Sequence, residues 1–241
     1  MQFLIFVLLT CFFIFLFSLY LLSRDDFVFI RKDVTTEKVF NIAFVMFFVA
    51  IFSSRILYVI LNPSSNFLNP LVFFLFPYYP GLSLVGGVAG GALFLLVLSK
   101  RKRLLFGRLL DFFSVSFLSA FPFGLLGYFL LSGENIFSPR SIVLLLTQVI
   151  MFIFFLKLLL PRILSGRFKN GTVGFLFLIF FAVVFLVDNA LGRAGDILGL
   201  GLEDLILILM LYTSVVFLFR QEKLLTKVRK YYEGKKIKFK S

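Results

Sequence analysis

Seven times along this chain the sequence stays apolar for about 20 residues, the length of helix needed to cross the hydrocarbon of a bilayer. The runs fall at roughly 2–23, 39–61, 81–99, 109–131, 141–160, 172–190 and 201–219. Inside hydrocarbon every backbone N–H and C=O must find its partner within the protein, which leaves helices or closed barrels. Barrel strands would alternate apolar and polar residues over short segments, and these runs do not. The chain therefore reads as an all-α integral membrane protein, a seven-helix bundle occupying 1–219 as one domain. A shorter apolar patch begins at Leu71 and ends in Pro77-Tyr78-Tyr79-Pro80. It is too short to span and is expected to lie in the interface or to re-enter. Met1-Gln2-Phe3-Leu4-Ile5 carries no positive charge, and the run behind it outlasts a signal-peptide core. The first helix is expected to be retained.

The charges set an orientation. Of the 25 Lys and Arg, 22 fall at the trailing ends of the first, third and fifth runs, in the loops after them and in the tail, leaving Arg55, Arg140 and Arg193 for the other side. Basic residues gather in cytoplasmic loops. The alternation predicts an outward N-terminus, an inward C-terminus and a basic cytoplasmic tail at 220–241. Interleaved Tyr231, Tyr232, Ile237 and Phe239 suit that tail to an anionic lipid surface, at about 1 kcal/mol per basic residue. The formal net charge of +13 is thus accounted for by the membrane, and no nucleic-acid partner is expected.

Composition narrows the chemistry. There is no histidine, and Cys11 is the one cysteine. This excludes Ser-His-Asp and Cys-His catalysis and any Cys-based metal site, so neither cofactor nor metal is expected. Ionisable groups at the edges of spans become the candidates, because a charge there needs a partner. Arg55, Glu134, Asp188 and Arg193 all lie at the ends of runs opposite the basic loops. At the same depth the third run opens with Gly81-Leu82-Ser83-Leu84-Val85-Gly86-Gly87-Val88-Ala89-Gly90-Gly91. Two glycine pairs four residues apart share one helix face. Such a face serves either as a helix-packing groove or as a floor that a lipid headgroup can approach.

Several stretches resemble the bacterial prolipoprotein diacylglyceryl transferases (Lgt), from about Thr36 to Phe219 in matching order and spacing. They are Ser54-Arg55-Ile56-Leu57-Tyr58-Val59, the glycine stretch from Gly81 to Gly91, and Asp111 near the start of the fourth span. Gly124-Leu125-Leu126-Gly127-Tyr128, running on to Glu134, and Val184-Phe185-Leu186-Val187-Asp188 complete the set. The resemblance implies a seven-span bundle and transfer of a diacylglyceryl group from phosphatidylglycerol to the lipobox cysteine of secreted precursors at the bacterial plasma membrane. It implies Glu134 and Asp188 as catalytic carboxylates. Substrate binding falls to Arg55, Tyr58, Gly86, Gly87, Gly124, Gly127, Tyr128 and Arg193. The family's histidine before the glycine pair is Val85 here. Its fourth-span arginine and asparagine are Leu125 and Tyr128, its sixth-span arginine is Val184, and its glutamate shortens to Asp188. Two other readings stand beside the enzyme: a non-catalytic relative that binds lipid or lipoprotein, and a structural membrane partner for which the glycine face alone would suffice.

Overall fold

The computed structural model describes residues 2–63, 67, 73, 81–132, 137–192 and 201–222. Glu134, Arg193, most of the patch from Leu71 to Pro80, and the tail beyond 222 lie outside the described residues. The elements are α1 (Gln2–Ser23), a short α2 (Phe27–Arg31), α3 (Thr36–Leu61), α4 (Leu84–Arg101) and α5 (Phe106–Ser132). Then come α6 (Pro139–Phe154), which passes through a π turn at Phe155–Leu159 into α7 (Leu160–Leu164), α8 (Thr172–Gly192) and α9 (Leu202–Glu222). No strand occurs among the described residues. Seven helices, with α6 and α7 counted as one, are long and apolar enough to cross a membrane.

The helix ends differ from those of the apolar stretches because capping groups, not hydropathy, set them. Thr35 accepts from the Lys38 N–H at 3.3 Å, so α3 starts at Thr36. Ser83 accepts from Gly86 N–H at 3.2 Å and leaves Gly81 and Leu82 outside α4. Ser138 accepts from Ser141 N–H at 3.1 Å, with Pro139 at the first helical position, where its missing N–H costs nothing. The π turn sits just ahead of Pro161, whose ring would meet the Lys157 carbonyl in a regular helix; the wider turn opens that ladder.

The core is built around α5, which packs against α1, α4, α6 and α8, while α3 pairs with α4 and α8 with α9. Its interior is rich in leucine and phenylalanine. Phe113 meets Phe15 of α1 edge-on, and Phe121 meets Phe181 and Phe185 of α8 with tilted rings. Between hydrocarbon and protein the hydrophobic effect gives little preference, so shape complementarity of this kind holds the bundle together. A hydroxyl chain crosses the same seam: Ser18 donates to Ser119 at 2.8 Å, and Ser119 donates to the Ser116 carbonyl at 2.7 Å.

At the end of the bundle that carries the basic loops, buried polar groups lock four elements together. Arg108 on α5 forms a buried ion pair with Asp26, the residue that caps α2 by accepting from Val28 and Phe29 N–H. Asp111, one turn on, accepts from Gly171 N–H at 2.6 Å and Gly174 N–H at 2.8 Å. Glu222 at the end of α9 accepts from Lys169 N–H at 3.0 Å and the Thr172 hydroxyl at 2.6 Å. The orphan N–H groups at the start of α8 are thus capped by acids from two other helices.

Candidate functional site

At the opposite end, α3 and α4 approach closely along the glycine face. A Cβ at Gly86 would stand 2.7 Å from Leu57 Cβ and 2.9 Å from the Ser53 carbonyl oxygen, and one at Gly90 would overlap the Ser53 side chain. At Gly87 and Gly91 the nearest atoms would be 3.6 and 3.9 Å away, ordinary contact distances. The two pairs therefore differ: Gly86 and Gly90 form the tight row, and Gly87 and Gly91 the looser one. Small residues on α3, Ala50, Ser53 and Ser54, complete this close-approach surface.

The chain entering α4 is clasped to α3 in both directions. Ser54 donates its hydroxyl to the Ser83 carbonyl at 2.7 Å, and Ser83 N–H donates to the Ser54 carbonyl at 3.1 Å. Arg55, only 2% exposed, donates through Nη1 to the Gly81 carbonyl at 2.8 Å and through Nε to the Phe73 carbonyl at 3.2 Å. Its guanidinium carbon lies 5.0 Å from the Phe67 ring centroid and 5.7 Å from that of Tyr58. Gly81 has φ of +151°, and its Cα faces the Tyr58 ring so closely that no side chain fits. A buried cation is tolerable here because carbonyl dipoles and aromatic faces replace the water it lost.

Three acids of α8 and α9 reach the same end, with different fates. Glu203, in the first turn of α9, accepts the Ser83 hydroxyl on Oε1 at 3.0 Å and is half-buried. Asp204 is buried; it accepts from the Asn189 side-chain amide at 2.9 Å and from Gly201 N–H at 2.9 Å, tying α8 to the start of α9. Asp188 is held by Arg140, from Nε to Oδ1 at 2.8 Å and from Nη2 to Oδ2 at 3.0 Å, and Nη2 also reaches the Asp188 carbonyl at 3.1 Å.

Of the residues singled out from the sequence, Arg55, Tyr58 and Gly86 gather where α3 meets α4, with Gly87 alongside on α4. Gly124 and Gly127 face α1: a Cβ at Gly124 would lie 3.5 Å from Cys11 Sγ, and one at Gly127 would meet the Val7 side chain. Tyr128 is exposed, its ring edge-on to Phe129. Asp188 lies on α8, paired with Arg140 of α6. Glu134 and Arg193 lie outside the described residues. The positions where the resembling family carries histidine and arginine, Val85 and Leu125, belong to the buried apolar core. Among the described residues no group of three or more His, Cys, Asp or Glu could hold a metal ion.

Sequence reasoning gave no role to Ser83, Glu203, Asp204 or Asn189, and used Arg140 only in counting the basic residues of one side. A signal was present for the acids. Glu203 and Asp204 are adjacent carboxylates at the start of an apolar run, on the side where basic loops are absent. Two acids there need polar partners within the bundle end.

The arrangement offers a buried cation, a pinned helix N-terminus and a partly open carboxylate within a few residues of one another. Such a set can receive an anionic headgroup and a proton. The sequence profile of one family, described as prolipoprotein diacylglyceryl transferase, matches residues 3–220. No curated protein matches the chain.

Proposed function

The chain belongs to the prolipoprotein diacylglyceryl transferase family, and on that premise we propose that it transfers a diacylglyceryl group from phosphatidylglycerol to the lipobox cysteine of secreted precursor proteins. Membership, together with seven membrane-length helices, makes it a multi-pass membrane protein of a family acting on lipid and lipoprotein precursors. In our reading it resides in the bacterial plasma membrane with its N-terminus outside, and its tail at 220–241 rests on anionic lipid in the cytoplasm. The 22-to-3 division of basic residues supports this orientation.

The observation that carries the reading is Arg55, buried at the mouth of the α3–α4 pair and fixed on the segment that opens the glycine stretch. A guanidinium held there supplies positive charge where the donor's phosphate must develop more negative charge as it leaves. Arg193 is assigned to the same headgroup by family resemblance, as are Tyr58, Gly86, Gly87, Gly124, Gly127 and Tyr128. Glu134 and Asp188 are the carboxylates so assigned to the catalytic site. In the reaction the cysteine sulfur bonds to the glycerol carbon of the diacylglyceryl group, the carbon–oxygen bond to phosphate breaks, and glycerophosphate leaves.

One observation favours a second reading, a relative that binds lipid without transfer. Val85 and Leu125, where the family carries polar groups, are apolar core residues at 1% and 6% exposure, so these two positions supply no hydrogen bond or charge to a substrate. Purified protein incubated with phosphatidylglycerol vesicles and a lipobox peptide decides between the two. A peptide heavier by one diacylglyceryl group supports the transferase. Phosphatidylglycerol binding with no mass change supports the second reading.

A further inference from the structure

We propose that Glu203 is the base that takes the proton from the attacking cysteine thiol, an inference that rests on the transferase reading. The chain has no histidine, so a carboxylate is the natural acceptor for that proton. Three described acids lie at the end of the bundle that holds Arg55. Asp188 has both oxygens engaged by Arg140. Asp204 is buried and has both oxygens engaged by Asn189 and Gly201. Glu203 differs from both: it is half-buried rather than sealed, and Oε1 takes a single neutral hydroxyl, that of Ser83.

The placement is close to the buried cation. Ser83, which Glu203 accepts from, lies two residues along the chain from Gly81, whose carbonyl takes Arg55 Nη1. Ser83 is itself fixed, because it caps α4 through Gly86 N–H and is clasped by Ser54. Its hydroxyl therefore orients the Glu203 carboxylate, as a serving base requires. A phosphate beside Arg55 would put the adjacent glycerol carbon within reach of a thiol at Glu203. In the step, the thiol proton passes to Glu203 and the sulfur lone pair forms the S–C bond. The C–O electron pair leaves with glycerophosphate, and Glu203 returns the proton to that phosphate. Nothing is oxidised or reduced.

The test compares the full chain with E203Q and E203D in phosphatidylglycerol vesicles, each with a lipobox peptide and with the same peptide carrying selenocysteine for cysteine. Glutamine keeps the acceptor for Ser83 but cannot take the proton. A selenol is already ionised near neutral pH and needs no base. The expected result is a fall in kcat of about 100-fold or more for E203Q with the cysteine peptide, and recovery of most of that loss with selenocysteine. E203D should retain more activity than E203Q. E203Q within threefold of the parent on the cysteine peptide overturns the assignment and leaves the transferase reading standing. Equal loss on both peptides also overturns it, since it makes Glu203 a structural support for Ser83. A parent chain that transfers nothing to either peptide overturns the transferase reading, and the role of Glu203 falls with it.

Discussion

The two ends of this bundle use the same side-chain types to opposite effect. At the basic end Arg108, Asp26, Asp111 and Glu222 are all buried, and they hold one another, the backbone at the starts of α2 and α8, and the Thr172 hydroxyl. At the other end Arg55 and Asp204 are buried, but Glu203 is half-buried and Arg140 is 56% exposed at its side chain. The first end spends its charges on joining helices. The second keeps some within reach of whatever approaches from the headgroup region. Charge in a membrane protein is thus no guide to a site until its partners are known.

The sharpest way to break this contrast is Arg108→Ala. It would leave Asp26 buried without its cation and free the cap of α2. Removing one partner of a buried pair costs about 3–5 kcal/mol, a large part of a domain's whole stability. Thermal unfolding in detergent should show a larger loss for this variant than for any substitution at the opposite end. If Arg108→Ala unfolds no earlier than Arg140→Ala, the basic end is not a structural clasp.

Arg55→Ala comes next. It strips charged donors from the Gly81 and Phe73 carbonyls, and leaving a buried acceptor unpaired costs about 1–3 kcal/mol. Arg55→Lys should rescue little, since an ammonium cannot reproduce the planar fork that reaches two carbonyls at once. Both variants are expected to bind phosphatidylglycerol vesicles more weakly than the parent in a flotation assay. Unchanged binding by a folded Arg55→Ala would confine this arginine to packing.

The glycine face gives a third, finer contrast. Gly86→Ala pushes a Cβ into Leu57 and the Ser53 carbonyl, both on α3. Overpacking of this kind costs about 1–3 kcal/mol. Gly91→Ala meets nothing nearer than 3.9 Å and gains up to about 1 kcal/mol of helix propensity. Opposite signs in thermal shift are expected. The same sign for both would mean that α3 and α4 do not meet along the tight row.

The spans were legible because twenty apolar residues can do little else. Their ends were not, since a cap depends on one hydroxyl: α3 begins at Thr36, before its apolar run, because Thr35 caps it, and α2 exists because Asp26 does. Arg55 was legible as a cation at the rim of a span that needs a partner, and not as a buried one. Its partners were not, because they are the backbone carbonyls of Gly81 and Phe73, and residue type does not tell which side chain a carbonyl receives. The glycine pattern showed a shared face without showing that α3 fills it. Arg140 could not be read at all from spacing, since its meaning lies in Asp188, 48 residues further on.

That last pair carries the smallest effect and the closest test of the comparison. Arg140 is bidentate on Asp188 and also touches the carbonyl end of α8 near Gly192. A guanidinium there pairs a carboxylate and complements the helix dipole together. Its exposure weakens both interactions, and pairs of this kind are worth about 0.2–1 kcal/mol. Arg140→Ala should therefore shift thermal unfolding only slightly, and by less at high salt, where exposed charges are screened. The loss in the Arg108 variant should persist in the same salt, because ions do not reach a buried pair. The opposite pattern, a salt-insensitive Arg140 and a salt-sensitive Arg108, would exchange the roles of the two ends. For phosphatidylglycerol binding, Arg140→Ala should lose less than Arg55→Ala. Equal losses would reduce binding at this end to diffuse surface charge and remove the physical basis for a headgroup site beside Arg55.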